Sequence, residues 1–487
     1  MTEATTDPVR LPPGPAIPKF VAAAGFFTIR RRALTAIAAR YGDSFTVDLP
    51  IFGNTTVVSD PALVKELFAT GSDLVARASN LGTVLGPGST FSLDGDEHRA
   101  RRKLLVPPFH GKRMADYEAI VADEVARETA DWFEGREFST LEPMMRITLN
   151  AILRAVFGAQ GAALEELRRL LPPMVPLASL MVVLPQALRK DLGPWSPWGK
   201  VARSRARYNE IIASLIAEAR SDPGFDGRKD VLALLMSARY EDGSTIDDDH
   251  IADELLTLLA AGHETTATTL AWTVERLRRH PDLLSRLTAE VAAGGTELTQ
   301  ATIWEVQRTR PVVEAMFRVT KQRIRLGEWV FPEGHGVMPS IVLMHNSPRH
   351  FSEPQLFNPD RFVGGSPDSR TWIPFGGGIR RCIGAAFANM EMTVTLRELL
   401  REFELSTTSA PGERRRRRQD HTRCPASRRH RDRAGVLSST AAARRCRGLR
   451  QARSPSHARR AWDHERTRSS DRAPRARRAR RAWSGCR

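Results

Sequence analysis

The residue with the clearest chemical potential is Cys382, the only cysteine among residues 1–411. It follows Arg380 and Arg381, lies between Gly378 and Gly384, and precedes an apolar run. An isolated cysteine in a large protein is usually a small buried apolar residue. Here the cationic neighbours and the N–H groups of a helix start would stabilise a negative charge on sulfur. The sequence therefore predicts a thiolate, in a loop whose glycines let a flat, bulky group approach the backbone.

The segment from Phe375 to Ala388 reads FGGGIRRCIGAAFA. Its pattern Phe-x-x-Gly-x-Arg-x-Cys-x-Gly resembles the haem-binding loop of the cytochrome P-450 family and matches that loop at every fixed position. The resemblance implies that Cys382 is the axial iron ligand of haem b (iron protoporphyrin IX). It also implies that Phe375, Arg380 and Gly384 lie against the cofactor.

A second motif, AGHETT at residues 261–266, lies in a run from 251 to 280 that is predicted to be one helix stopped by Pro281. It resembles the oxygen-activation motif of the same family. The resemblance implies that Ala261 and the next glycine leave room for the cofactor and dioxygen, and that Glu264 and Thr265 pass protons to reduced oxygen. A helical threonine by itself often only bonds the carbonyl four residues earlier. His263 is predicted to be structural.

Four residues are predicted to bind the two haem propionates, which need cationic or hydrogen-bonding partners. His98 and Arg102 are spaced i, i+4 and match the family's His-x-x-x-Arg pattern. Arg380 and Arg318 are the other predicted donors, although a surface arginine would look the same as Arg318.

A structural ion network is implied by a third match to the family. Glu305 and Arg308 form the Glu-x-x-Arg pair, and Arg361 lies within the later segment FNPDRF at residues 357–362. Outside the resemblance, an i, i+3 pair of this kind is usually a solvated helix face.

The fold class is predicted to be mainly α with small β-sheets. Strands are expected at residues 45–49 and 55–58, a short helix from 61, and further strands at 323–331 and 340–344. Helix is expected from 113 to 218, with interruptions at 171–176 and 192–198 where prolines cluster. The resemblance implies a single large P-450 fold over residues 11–411.

The net charge of +17 belongs to the C-terminal part of the chain. Residues 412–487 contain 26 arginines and six acidic residues, but no Lys, Ile, Phe, Tyr, Met or Asn. Such a composition predicts a disordered basic tail. It is what a GC-rich gene yields when read out of frame, so a frameshift-derived tail is the preferred interpretation. A nucleic-acid-binding arm is the alternative.

The absence of any run of 18 apolar residues excludes a membrane span within the sequence. The single cysteine of residues 1–411 permits no disulfide there. Both features predict a cytoplasmic protein.

The resemblance implies a monooxygenase that inserts one oxygen atom of O2 into an apolar small molecule. No glycine-rich nucleotide-binding pattern follows a strand, so electrons are expected from a separate ferredoxin or flavodoxin with its reductase. The surface of this chain that would bind the electron donor is predicted near His98, at Arg99, Arg101 and Lys103. The alternative is a haem-binding protein with impaired turnover, because the closing C-terminal hairpin of the family is missing after residue 406.

Overall fold

The computed structural model describes residues 2–49, 52–77, 82–111, 113–132, 139–158, 161–183, 190–409 and 437–439. Helices dominate the described residues, as the sequence predicts. Their bounds are α1 Lys19–Tyr41, α2 Pro61–Ala69, α3 Gly82–Leu85, α4 Gly95–Leu105, α5 Arg113–Thr129, α6 Leu141–Phe157, α7 Ala162–Val183, α8 Pro197–Ser221, α9 Val231–Ser237, α10 Asp248–Arg279, α11 Pro281–Ala292, α12 Glu297–Thr309, α13 Ile341–His345 and α14 Ala385–Glu402.

The long helix α10 lies at the centre of the fold, where it packs against α6, α8, α12 and α14. It confirms the helix predicted for 251–280, and Pro281 begins α11 directly after it. Most of its side chains are buried, including Leu255 and Leu259 on one side and Leu270 and Trp272 further on. A helix buried on nearly every face can carry functional groups through the interior of the protein.

The predicted interruption at residues 171–176 is wrong, because α7 continues through Pro172, Pro173 and Pro176. Each proline removes a backbone donor. However, Leu171 and Met174 are buried in the same core as α6 and α8, and this packing outweighs the local cost. The second predicted interruption is confirmed as the loop that ends where α8 begins at Pro197.

A five-stranded sheet has the strand order β2-β3-β8-β5-β4, from β2 Ser44–Leu49, β3 Gly53–Val58, β4 Val75–Arg77, β5 Arg318–Thr320 and β8 Gly336–Pro339. The antiparallel β2–β3 pair contains the strands predicted at residues 45–49 and 55–58. A three-stranded sheet combines β1 Glu3–Ala4, β6 Ile324–Leu326 and β7 Trp329–Phe331. The strand predicted at 340–344 is instead α13, because the Ser340 side chain caps its N-terminus by accepting the N–H of Leu343.

The described chain ends in a two-stranded antiparallel sheet, β9 Phe403–Leu405 paired with β10 Leu437–Ser439. Apart from β10, the predicted disordered tail at 412–487 lies outside the described residues. Among the residues that the structure does describe, no helix is both long enough and apolar enough to cross a bilayer.

Candidate functional site

The loop before α14 brings Cys382 back towards its own start. The Cys382 N–H donates to the carbonyl oxygen of Phe375 at 2.9 Å. Gly378 has a φ of +64°, and a Cβ there would lie 2.2 Å from the carbonyl oxygen of Phe68 in α2, so its glycine is required by packing against that helix. At Gly384, nothing in the described structure lies within 4 Å of the added Cβ. Open space beside Gly384 agrees with the room predicted for a flat group.

The Cys382 thiol combines two properties that belong to a cavity-lining group. Its pKa is raised overall, because desolvation by the surrounding protein atoms outweighs the hydrogen bond from the Gly384 N–H and the charges of Arg102 and Arg381, so the polypeptide alone does not produce the thiolate that the sequence predicts. Its side chain is nevertheless accessible to solvent. A coordinating metal ion removes the proton of such a thiol, because it supplies the positive charge that the burial withholds.

Cationic side chains converge beside this loop. The antiparallel pairing of β4 with β5 places Arg77 directly opposite Arg318. Burial, with the nearby charge of Arg380, lowers the pKa of Arg77 to about 9 and that of Arg318 to about 10. Like charges opposite each other on neighbouring strands destabilise a sheet. The arrangement therefore requires an anionic partner.

His98 lies in the same cluster on α4. Burial, followed by the charges of Arg380 and Arg102, lowers its pKa to about 4, so the imidazole is neutral near pH 7. Its Nδ1 atom is buried without a hydrogen-bond partner in the described structure. A buried polar atom of this kind is costly unless another group binds it.

Existing contacts orient the arginines but neutralise them only in part. Arg102 donates to the carbonyl oxygen of Arg381 at 2.5 Å, and Arg380 donates to Asp94 at 2.9 Å. Asp94 is shared, since Lys321 also binds it at 2.8 Å. A group with two carboxylates would offset the remaining positive charge and use the orphaned imidazole atom. The haem propionates fit this requirement.

The second motif lies in the middle of α10. Ala261 is exposed although most of the helix is buried, which agrees with space beside it. A Cβ at residue 262 would contact the Ile152 side chain at 3.3 Å, so Gly262 serves the packing of α10 on α6. Thr265 donates to the Ala261 carbonyl at 2.8 Å, the local bond expected for a helical threonine.

His263 is structural, as predicted. Its side chain is buried, and Nδ1 lies 2.7 Å from the carbonyl oxygen of Leu259. The carbonyl of His263 accepts the Thr148 hydroxyl of α6 at 3.0 Å. Both contacts hold the helix rather than face a cavity.

The predicted ion network is present and fully buried at its centre. Two hydrogen bonds of 2.7 Å join Arg308 to the Glu305 carboxylate, and Arg361 approaches the same carboxylate at 3.3 Å. Arg308 also donates to the carbonyl oxygens of His345, Pro354 and Leu356. The His345 ring then accepts the N–H of Ile373, so the network reaches the start of the cysteine loop.

Sequence reasoning missed Arg77. Its guanidinium lies 3.9 Å from the centre of the Phe91 ring, within the cationic cluster that includes Arg318 and Arg380. The only local signal is a charged residue that ends a short apolar strand segment. Its meaning depends on the register of β4 against β5, which no local pattern indicates.

A flat, dianionic group bound beside an accessible cysteine is the arrangement of a cysteine-ligated haem protein. The family model "Cytochrome P-450" matches residues 12–422. The chain is 51% identical over 417 residues to "Putative cytochrome P-450 138" of Mycobacterium tuberculosis (strain H37Rv), covering 85% of this chain and 94% of the relative. It is 40% identical over 423 residues to "Putative cytochrome P-450 135B1" of the same strain, covering 84% and 88%.

Among solved structures, the fold matches "Retinoic acid bound cyanobacterial CYP120A1" with a TM-score of 0.72 and 23% identity, covering 89% of this chain and 100% of that chain. The chain belongs to the cytochrome P-450 family. It is therefore a haem-thiolate monooxygenase, an oxidoreductase whose iron is bound by a cysteine thiolate.

Proposed function

We propose that this chain inserts one oxygen atom of O2 into an apolar small molecule, with Cys382 as the axial ligand of its haem. The observation that carries the assignment is the accessible Cys382 thiol beside the cationic cluster of Arg77, Arg318 and Arg380. Bound haem supplies dioxygen activation, which a thiolate ligand favours by donating electron density. The protein supplies position and electrostatic field.

The propionates would be held by the cationic cluster, His98 and Arg102 included. Phe375 and Gly384 border the cysteine loop and would face the ring, while Ala261 would face it from α10. The positions of these residues in the fold, together with the charge of the cationic cluster, support the proposed contacts.

Replacing Arg77 by glutamine should have opposite effects on the two forms of the protein. The haem-free protein should gain thermal stability, because folding places this cation in a desolvated site beside Arg318 and Arg380. The haem-loaded protein should release haem faster, because one propionate partner is lost. Melting temperatures of both forms and transfer of haem to apomyoglobin measure these effects. Arg323→Gln, an exposed arginine between β5 and β6, is the matched control.

Glu264 and Thr265 would move protons above the haem. The Thr265 hydroxyl donates its hydrogen bond to the Ala261 carbonyl oxygen. Its own oxygen therefore remains able to accept a hydrogen bond from a proton donor. Glu264, the preceding residue, can exchange protons with water. Release of the Ala261 bond would let the hydroxyl donate in turn.

Replacing Thr265 by alanine should preserve haem binding and electron consumption but divert electrons to peroxide. The ratio of product to peroxide per electron measures this change. Thr273→Ala removes the same kind of helical bond, from Thr273 to the Thr269 carbonyl at 2.9 Å, and should leave the ratio at the wild-type value. An unchanged ratio in Thr265→Ala would remove Thr265 from the mechanism. Poor coupling in the wild type would instead favour the haem-binding protein with impaired turnover.

The substrate is expected to be apolar and small. A cavity of about 540 Å³ adjoins the cationic cluster, and its lining combines Pro87, Phe91 and Leu93 with the charged side chains of Arg77, Asp94 and Arg380. Small-molecule sites of this size typically combine apolar and aromatic residues with a few polar groups.

The electron donor is expected to be a separate ferredoxin or flavodoxin with its reductase. One residue of the predicted docking surface is excluded, since Arg101 is 2% exposed and lies beside Glu254. Arg99 and Lys103 remain exposed on α4, paired with Asp96 and Glu241. An acidic partner would meet this face near the haem.

Reduction by an acidic ferredoxin should slow as ionic strength rises, because salt screens the attraction. Charge reversal by Arg99→Glu and Lys103→Glu should slow reduction at low salt and flatten its salt dependence. Arg207→Glu on α8, a reversal at another exposed arginine, should change neither. The measurement is the stopped-flow rate of reduction at a series of salt concentrations. Equal rates for all three variants would exclude this face of α4 as the docking surface.

A further inference from the structure

Residues 84–90, which include the end of α3 and lie beside the cavity, are bound by two consecutive acidic residues of α10. The Gly88 N–H donates to Asp253 at 2.8 Å. Thr90 donates twice to Glu254, from its N–H at 2.8 Å and from its hydroxyl at 2.7 Å. The Ser89 hydroxyl lies 2.7 Å from that of Thr257, one turn further along α10. All these side chains are buried.

Arginines from two other helices bind the carbonyl oxygens of the same segment. Arg101 of α4 donates to Gly88 at 2.7 Å, and Arg205 of α8 donates to Leu85 at 2.9 Å. Arg205 also pairs with Asp253, and Arg101 lies 3.5 Å from Glu254. Each of the two acidic side chains therefore has an arginine beside it.

The same segment contacts the cysteine loop. Arg380, two residues before Cys382, donates to the carbonyl of Thr90 at 3.1 Å and to that of Leu93 at 2.8 Å. The Thr90 N–H is thus bonded to Glu254 of α10, and the Thr90 carbonyl oxygen is bonded to Arg380 of the cysteine loop. A displacement of this segment would disturb both.

Close approach of the segment to α10 depends on Gly88. A Cβ there would lie 2.5 Å from the His250 Cα, so any other residue would push the segment off the helix. Loops normally stay at the surface because water satisfies their backbone groups. Here charged side chains replace that water, so residues 84–90 can form an ordered wall that is buried except at Gly86 and Pro87.

Phe91 follows this wall directly, lines the cavity and lies under the Arg77 guanidinium. Because contacts within the protein already order this wall, ligand binding does not have to reduce its conformational entropy. We propose that Asp253 and Glu254 are positioning residues for substrate, which hold residues 84–90 in one conformation before binding and thereby place Phe91 against the ligand. This inference rests on the function proposed above.

The test uses the full-length, haem-loaded chain and the variant Glu254→Gln, whose amide keeps the size of the side chain but loses one acceptor and the charge. The probes are 4-phenylimidazole, whose phenyl ring extends into the pocket from the iron, and imidazole, which lacks that ring. We expect the Kd of 4-phenylimidazole to rise about tenfold and that of imidazole by less than about twofold. Hydrogen exchange at the Gly88 and Thr90 amides should accelerate about tenfold or more.

Two further variants separate positioning from stability. Glu275→Gln removes another buried acid of α10, which pairs with Arg276 and Arg279 away from this segment, and should change neither Kd nor the local exchange. Thr90→Val removes only the hydroxyl bond to Glu254 and should shift both readouts in the same direction as Glu254→Gln, by a smaller factor. If Glu254→Gln does not fold, the Thr90→Val variant tests the positioning role by itself.

Unchanged exchange over residues 84–90, or equal losses for both imidazoles, would overturn the proposal. So would a wild-type segment whose exchange slows about tenfold when 4-phenylimidazole binds, since the ligand rather than α10 would then order it. A wild type without the spectral signature of a thiolate-ligated haem would refute the proposed function instead. The exchange of the haem-free variants would still test the positioning role.

Discussion

The Arg308→Ala variant is expected to lose about 3–5 kcal/mol of unfolding free energy, the usual effect of removing one partner of a buried ion pair. The change leaves the Glu305 carboxylate buried and removes both hydrogen bonds that Arg308 donates to it. It also leaves the carbonyl oxygens of His345, Pro354 and Leu356 without this donor. Since domains are stable by only about 5–15 kcal/mol, the variant should accumulate poorly and hold little haem.

Denaturant unfolding of the haem-free protein and haem content per chain measure the two effects. Arg286→Ala provides the matched control, since its pair with Asp360 is half exposed on both sides and should contribute about 0–1 kcal/mol. Arg308→Lys retains the charge but not the forked geometry, and should fall between the two. An unfolding free energy of Arg308→Ala within about 1 kcal/mol of the wild-type value would contradict the role assigned to the network.

The sequence predicted the cysteine loop and the ion network well because their signals are local. Each fixed position from Phe375 to Gly384 lies within a few residues of Cys382, and the contact of the Cys382 N–H with Phe375 is made within that loop. The Glu305–Arg308 pair is likewise one helical turn apart. Neighbouring residues in the chain therefore carried enough information.

Long-range contacts explain the failures. Arg101 resembled a solvated residue on a charged helix, but its partner Glu254 lies 153 residues further along the chain. Arg77 depends on strand register in the same way. The prolines of α7 predicted an interruption, and only the packing of Leu171 and Met174 against neighbouring helices shows why the helix continues.

The variant Cys382→His is expected to lose monooxygenase activity while keeping the fold. The side chain lines an accessible space, so an imidazole can be accommodated without displacing a packed core. Imidazole binds haem iron but lacks the electron donation of a thiolate. Ile379→Ala, a change at an exposed residue of the same loop, is the control and should retain activity.

The most direct measurement of the central claim is the absorption spectrum of the reduced, carbon monoxide-bound protein. The wild type and Ile379→Ala should show the red-shifted Soret band of a thiolate-ligated haem, and Cys382→His should show the unshifted band of a histidine-ligated haem. Survival of the red-shifted band in Cys382→His, or its absence from the wild type, would contradict the assignment of Cys382 as the iron ligand.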